Sequence, residues 1–216
     1  MNEMVLENEK VQSKTFYFVT KRIFDFCFAL VCLIVLSPIL LLIAIAIKLD
    51  SKGPVFYYGF RVGKGMKQFR FFKFRSMIIN ADEVMKTWSP ELMAEYQKNL
   101  KLDNDPRITR VGKIIRKLSL DELPQIINIF KGDMSLIGPR PIMPREIERT
   151  GVENLKLMCS VTPGLTGWWA CSGRSNCTWE EKTELELYYV RNCSWKLDIK
   201  CFFKTIESVV KKDGAK

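Results

Sequence analysis

The stretch Phe24 to Ile47 is apolar apart from Asp25, Ser37 and a few small residues, and no other feature limits the possible folds so strongly. At about 1.5 Å per residue, a helix of this length crosses a hydrocarbon layer of roughly 30 Å. The run is too long for a secretory leader, and no small-residue cleavage pattern follows it. Membrane association is therefore expected. Ser37-Pro38 stands in its middle. Proline removes one backbone hydrogen bond and collides with a carbonyl one turn back, so a kink is expected there, with the Ser37 hydroxyl at hand for a freed backbone group. A bend at mid-depth allows a return to the face of entry. Lys21 and Arg22 before the run and Lys48 after it give no charge asymmetry against that topology; a kinked helix that spans is the competing reading. Asp25, one turn inside, is expected at headgroup level.

Beside this segment, 216 residues with 47% hydrophobic content allow one catalytic-sized unit with its own core. Lys and Arg number 34 against 24 Asp and Glu, and the resulting +10 favours anionic partners: nucleic acid, acidic lipid headgroups or phosphorylated substrates. Histidine is absent, and the seven cysteines form no CxxC pair. That excludes a Cys/His zinc site and any histidine-activated nucleophile. The odd cysteine count suits free thiols in a reducing compartment, although Cys171 and Cys177 flank a loop that a bridge would close.

Residues 1 to 13 are polar, and "KTFYFVTKRIFDF" reads as an interfacial lead-in. After the apolar run, "GPVFYYGF" and "QFRFFKFRSM" around "RVGKGM" read as a β-hairpin with a glycine-bearing loop. Its aromatic and basic alternation would also suit nucleic acid, but no RNA-binding signature accompanies it. Residues 80 to 103 read as one or two polar helices. In "DPRITRVGKIIRKLSLDE", Asp105 is expected as a cap and Pro106 as the first helical residue, with Ile108, Val111, Ile115 and Leu118 on one stripe. Arg107, Arg110, Lys113 and Arg116 then face solvent. "WEEKTELELYYV" and "WKLDIKCFFKTIESVV" read as C-terminal helices, the second carrying Trp195, Ile199, Phe202 and Ile206 on one face suited to a bilayer surface. Trp168 and Trp169 fit an interfacial belt or ordinary core packing.

The richest chemistry lies in "LSLDELPQIINIFKGDMSLIGPRP". Ser119 and Glu122 match a capping box ahead of Leu123, Ile126, Ile127 and Phe130, with Gly132 as the stop. Asp121 and Glu122 then occupy a helix's first turn, after an extended approach imposed by Pro124. Their plainest role is to cap. Three features point further. Without histidine, a nucleophile or base is most readily a carboxylate. Arg140 is held between Pro139 and Pro141, and a rigid guanidinium suits bidentate phosphate recognition. Two carboxylates beside bound phosphates are also a natural Mg²⁺ site. Together they suggest phosphoryl transfer.

The succession of a basic lead-in and apolar helix with central Ser-Pro, then "FKFRSM", "DPRITRVG", "LSLDELPQ", "FKGDMSLIGPRP", "VTPGLTGWW", "SGRS" and "LDIK", resembles the monotopic bacterial phosphoglycosyl transferases across about residues 15 to 210. The resemblance implies transfer of a phospho-sugar from a UDP-sugar to undecaprenyl phosphate, giving a polyprenyl diphosphosugar and UMP. It also implies two steps through a phosphosugar carried on Asp121, with Glu122 linked to Mg²⁺ and to the acceptor phosphate. The cations available to neutralise the diphosphate are Arg140 first, then Arg116 and Arg174, with Lys73 ahead of Arg75, for which an ion pair is the plain alternative. Implied too is a membrane helix broken at Ser37-Pro38 that returns to the cytoplasmic face.

The expected architecture is α/β and mostly helical: a lead-in over 1–20, a re-entrant helix over 21–48, and a cytoplasmic catalytic domain over 49–216 with a β-hairpin and interfacial amphipathic helices. The expected setting is the bacterial inner membrane. Expected partners are the UDP-sugar donor, the polyprenyl phosphate acceptor and membrane lipids, without nucleic acid; self-association is left open. The rival reading is a non-catalytic basic scaffold on the membrane, its acids serving only as a cap. A multi-spanning transferase is disfavoured by the single long apolar run. Beside larger relatives that carry a multi-helix N-terminal module, the sequence reads as a minimal catalytic unit. It departs from the family pattern at Ala170 and Cys171, where Gln-Val is common, at Glu186, where aspartate is usual, and at Gly59, where a polar residue often stands.

Overall fold

The computed structural model of the protein describes residues 14–99, 102, 104–172 and 177–210. Helix α1, Thr15–Asp50, carries the apolar run and is assigned without interruption through Pro38. The carbonyl that Pro38 leaves without an amide partner is that of Ile34, one turn back. Ser37 Oγ donates to it at 2.8 Å, so the helix keeps its bonding at the proline. Val31, Ile34, Val35, Leu41 and Leu42 are all more than half exposed. An apolar face of that extent marks a membrane or protein contact, and α1 is long and apolar enough to cross a membrane.

The polar residues at the start of α1 turn into the protein. Lys21 Nζ lies 2.6 Å from Asp198 Oδ2, and the Tyr17 and Tyr189 hydroxyls donate to the same carboxylate at 2.8 and 2.6 Å. Arg22 donates to the carbonyls of Ile129 and Phe130 at 2.7 and 2.8 Å. Asp25 is buried and accepts the Leu136 N–H at 2.9 Å. Its carboxylate is thus held by the protein, where the strand amide supplies a hydrogen bond.

The described chain forms two compact units, one of residues up to Leu33 with Gly59–Phe71 and Gln125 onward, the other of Ile34–Tyr58 with Phe72–Pro124. The hairpin runs through strands β1, Phe56–Val62, and β2, Gln68–Phe74, as its alternation foretold. Its 3-10 turn, Lys64–Met66, has Gly65 at φ 67° and Met66 at φ 62°.

In the second unit, α2, Ala81–Lys86, and α3, Pro90–Asn99, precede α4, Arg110–Lys117. Helix α4 starts later than expected. Its cap is Thr109, whose side chain accepts the Gly112 N–H at 2.9 Å, because Asp105 is already bound to Arg107 at 2.9 and 2.6 Å. Nor does Arg107 face solvent. It is buried, with its guanidinium 4.6 Å from the Trp88 ring and 5.0 Å from Tyr96. The core of this unit is Ile43 and Ile47 of α1, Phe74 and Ile115, with Val55, Val111, Leu120 and Leu123 packed against it.

In the first unit, α5, Gln125–Lys131, leads into β3, Ser135–Ile137, which pairs in parallel with β4, Gly164–Thr166. A parallel pair needs a crossover, here α6, Ile147–Thr150, and α7, Val152–Met158. The strands approach so closely that a side chain on Gly138 or Gly164 would collide with the facing backbone. Helices α8, Trp168–Ser172, α9, Trp179–Asn192, and α10, Trp195–Val210, complete the unit. Leu136, Leu155, Leu187, Tyr189, Val190 and Leu197 belong to its core. On α10, Ile199, Phe202 and Ile206 of the expected face stay exposed, as does Phe203, while Trp195 packs against the core.

Candidate active site

Asp121 and Glu122 do not open α5. They lie on a separate 3-10 turn, Leu120–Glu122. Ser119, expected as its cap, makes no capping bond and is left-handed at φ 55°. It occupies the position just beyond the end of α4, where a left-handed residue reverses the chain and returns amide hydrogens to the last helical carbonyls; its own N–H reaches the Arg116 carbonyl at 3.1 Å. Leu123 is helical rather than extended before Pro124, since its N–H closes the 3-10 turn on the Leu120 carbonyl at 3.2 Å. Leu120 and Leu123 flank the two acids and pack on the cluster containing Ile43 and Ile47. The carboxylates therefore ride on a turn fastened to α1.

Lys73, near the end of β2, spans both acids: its Nζ is 2.6 Å from Glu122 Oε1 and 3.6 Å from Asp121 Oδ2. The Asp121 carboxyl is 13% exposed and that of Glu122 47%. Burial pushes Asp121 above the usual carboxylate range; Lys73 opposes this, Glu122 adds to it, and Arg116 opposes it again. Lys73, Arg116, Asp121 and Glu122 thus form one electrostatic group. Arg75 belongs elsewhere. It is buried and donates to the Lys52 and Ser51 carbonyls at 2.5 and 2.9 Å.

Two hard carboxylates converging on a single cation suit Mg²⁺, which binds one or two carboxylates and completes its shell with water and substrate oxygens. Among the described residues no cluster of three or more His, Cys, Asp or Glu is placed to hold a metal unaided. The dyad fits an ion shared with a phosphate.

Arg140 belongs to the first unit, on the loop after β3. Its N–H donates to Glu186 Oε2 at 3.2 Å and its Nη1 to Glu146 Oε1 at 2.9 Å, with its guanidinium 5.9 Å from the Trp169 ring. Burial raises the Glu146 carboxyl, but the Arg140 charge and the Met143 amide outweigh that and hold it low. Glu186 is fully buried, and desolvation pushes it up to about 7. Lys182 lies 4.8 Å from the Trp169 ring and 4.2 Å from Trp179, its ammonium lowered by burial and by Arg140. Arg140, Glu146, Trp179, Lys182 and Glu186 wall a cavity of about 10 Å³, room for a single water. Sequence reasoning missed Glu146 and Lys182 and took Glu186 only as a departure. A signal existed: Trp179, Lys182, Thr183 and Glu186 recur at helical spacing along α9. Trp169 lies beside Arg140 and Lys182, and Trp168 lies 5.1 and 4.9 Å from Lys200 and Lys204. Arg174 lies outside the described residues.

Paired carboxylates with a shared lysine, on a turn seated against a helix long and apolar enough to cross a membrane, suit a membrane-bound group transferase, and residues 16–212 match the profile of the bacterial sugar transferases. The chain belongs to that family. It is 43% identical to the undecaprenyl-phosphate galactose phosphotransferase of Salmonella typhimurium over 198 residues, 90% of this chain and 41% of that protein. It is 40% identical to the exopolysaccharide production protein ExoY of Rhizobium meliloti over 198 residues, 90% of this chain and 87% of that one. It is also 38% identical to the UDP-N-acetylgalactosamine-undecaprenyl-phosphate N-acetylgalactosaminephosphotransferase of Aeromonas hydrophila over 208 residues, 93% and 46% of the two chains. The chain spans less than half the length of the Salmonella and Aeromonas relatives.

Proposed function

We propose that the protein is a phosphoglycosyl transferase that moves a phospho-sugar from a UDP-sugar to a polyprenyl phosphate such as undecaprenyl phosphate, the first membrane step of a polysaccharide or glycoconjugate. The observation that carries the proposal is the Lys73 bridge between a half-buried Asp121 and a more open Glu122. A carboxylate made more basic by burial is a stronger nucleophile, and the neighbouring cations keep it ionised.

In this reading an Asp121 oxygen attacks the phosphorus that bears the sugar. The bond to the uridine phosphate breaks, UMP leaves, and a phosphosugar stays on Asp121. An oxygen of the lipid phosphate then attacks the same phosphorus and expels the Asp121 carboxylate, giving the polyprenyl diphosphosugar. Lys73 and Arg116 offset the charge of the entering phosphates, and Arg140 is assigned a phosphate contact of its own. Mg²⁺, held by Asp121 and Glu122, would neutralise diphosphate oxygens. The names of the relatives put galactose and N-acetylgalactosamine at the head of the donor panel.

The reading also places both ends of α1 at the cytoplasmic face of the bacterial inner membrane. Support comes from the partners of those ends. Arg22 and Asp25 bond to residues 129–136, and Asp50 accepts the Val111 N–H at 3.0 Å. Between Val111 and Leu136 no helix is long and apolar enough to cross a membrane.

The test is incubation of purified protein with a UDP-sugar labelled in the sugar and no lipid acceptor. Expected are release of UMP and a protein-bound phosphosugar mapping to Asp121, discharged on adding polyprenyl phosphate. Full turnover by Asp121→Asn, or a sequential mechanism with no trapped adduct, would reject the covalent route.

A further inference from the structure

The start of α1 borders two cavities that the proposed transfer does not use. The inner one, of about 240 Å³, has Lys21, Arg22 and Asp25 of α1 on one side and Met134, Ser135 and Thr162 on the other. The outer one, of about 590 Å³, is wider open and is walled by Thr15, Val19, Ile23 and Ser160. Phe18, Arg22 and Lys64 line both. Each volume far exceeds the roughly 10–15 Å³ that admits one water.

Positive charge gathers where the two cavities meet. Lys21 is matched by Asp198 at 2.6 Å, but among the described residues neither Arg22 nor Lys64 has a carboxylate partner. Arg22 donates one Nη1 and one Nη2 hydrogen to the Ile129 and Phe130 carbonyls, and the remaining hydrogens of its five-donor fork stay available. Its position is fixed by Gly132, where a Cβ would lie 3.1 Å from the guanidinium carbon. Lys64, on the 3-10 turn of the hairpin, has its ammonium 5.5 Å from the Phe18 ring. On the outer side Val19 and Ile23 are more than half exposed, at the end of α1 that leads into its apolar run. A polar chamber, two cations and an apolar exit therefore follow one another, which is the order of headgroup, phosphodiester and acyl chain in a phospholipid.

The wall of the inner cavity narrows the choice of headgroup. Ser135, Thr162, Tyr17 and Tyr189 bring hydroxyl groups to it, and Lys21 and Arg22 would repel an ammonium. Asp25 does not reverse that preference, because Lys21 stands one turn before it and its carboxylate already takes the Leu136 N–H. A glycerol headgroup suits this wall better than ethanolamine does.

We infer that the paired cavities bind one phosphatidylglycerol-type lipid. Its phosphodiester lies between Arg22 and Lys64, its glycerol enters the inner cavity, and its acyl chains leave over Val19 and Ile23. The lipid would tie α1 to the hairpin turn and to the residues after α5. This site requires that α1 meet lipid and is independent of the transfer chemistry.

The test is native mass spectrometry of the full chain, delipidated in detergent and titrated with phosphatidylglycerol, phosphatidylethanolamine, polyprenyl phosphate or inorganic phosphate. Expected is one phosphatidylglycerol adduct per chain, held about fivefold more tightly than phosphatidylethanolamine, the weight of one unit of charge near basic side chains. Lys64→Ser should weaken that adduct by about fivefold, whereas Lys67→Ser, beside the same turn but outside both cavities, should leave it unchanged. Ser160→Phe, which fills the outer cavity without altering charge, should prevent the adduct. Thermal unfolding checks the fold of that variant, and the comparison of Lys64→Ser with Lys67→Ser decides the matter if it fails. Equal retention of the two phospholipids, equal losses in the two lysine variants, or displacement of the lipid by inorganic phosphate or by one equivalent of polyprenyl phosphate would overturn the inference.

Discussion

Lys73 binds Glu122 closely and Asp121 more loosely, so its removal has a directional effect. The aspartate already sits above the ordinary carboxylate range, with burial raising it and Lys73 resisting. If the ionised form is the nucleophile, activity grows as pH rises through this elevated value. In Lys73→Met the opposing charge is gone, and the acid limb of the kcat profile should move to higher pH, with kcat at its plateau reduced by about 100-fold, as for other lost electrostatic contacts to a reacting phosphate. A profile shifted the other way would deny Lys73 this part. Glu186 gives a prediction in stability. The folded protein retains its proton up to about pH 7, whereas the unfolded chain releases it near 4.5. Unfolding therefore loses a proton between these values. The stabilisation is complete below the lower value and declines as pH rises through the upper one, by on the order of 3 kcal/mol. Glu186→Gln should flatten that decline in denaturant unfolding of the detergent-solubilised protein at about pH 5 and about pH 8.

The turn between α4 and α5 shows how one element can mislead a reader of sequence. A Ser-x-x-Glu pattern before an apolar run fits a capping box, but it fits equally a left-handed reversal that closes the helix before it. Only the packing of Leu120 and Leu123 against Ile43 and Ile47 selects the reversal. A left-handed serine costs roughly 1 kcal/mol, so Ser119→Gly should stabilise the protein by about that amount in thermal unfolding. Leu123→Ala should cost about 2 kcal/mol of stability and lower turnover more than the loss of folded protein explains. The hairpin was legible because its aromatic alternation and glycine loop are local signals. The start of α4 was not, because Asp105 binds Arg107 rather than capping, and that choice depends on the rings of Trp88 and Tyr96. Of the candidate site, the acids, Lys73, Arg116 and Arg140 could be named from motifs. Lys182 and Glu186 share a helical stripe with Trp179, but the pairing of Arg140 with Glu146 and Glu186 emerges only when the chain after β3 meets α9.

For the molecule as a whole, the apolar length of α1 was evident in the sequence, while the bonding of Lys21, Arg22 and Asp25 into the protein was not, because each depends on a partner more than a hundred residues away. Cysteines introduced by Thr15→Cys and Ser51→Cys should react from a single face of sealed, oriented vesicles. Modification from opposite faces would make α1 a spanning helix. The seat of the acidic turn on the second half of α1 has a mechanical corollary. The altitude of the nucleophile above the acyl chains is geared to how deeply that helix sinks, so bilayers of graded acyl length should tune the rate to an optimum, with thinner or thicker lipid carrying the two reacting phosphates out of reach of each other.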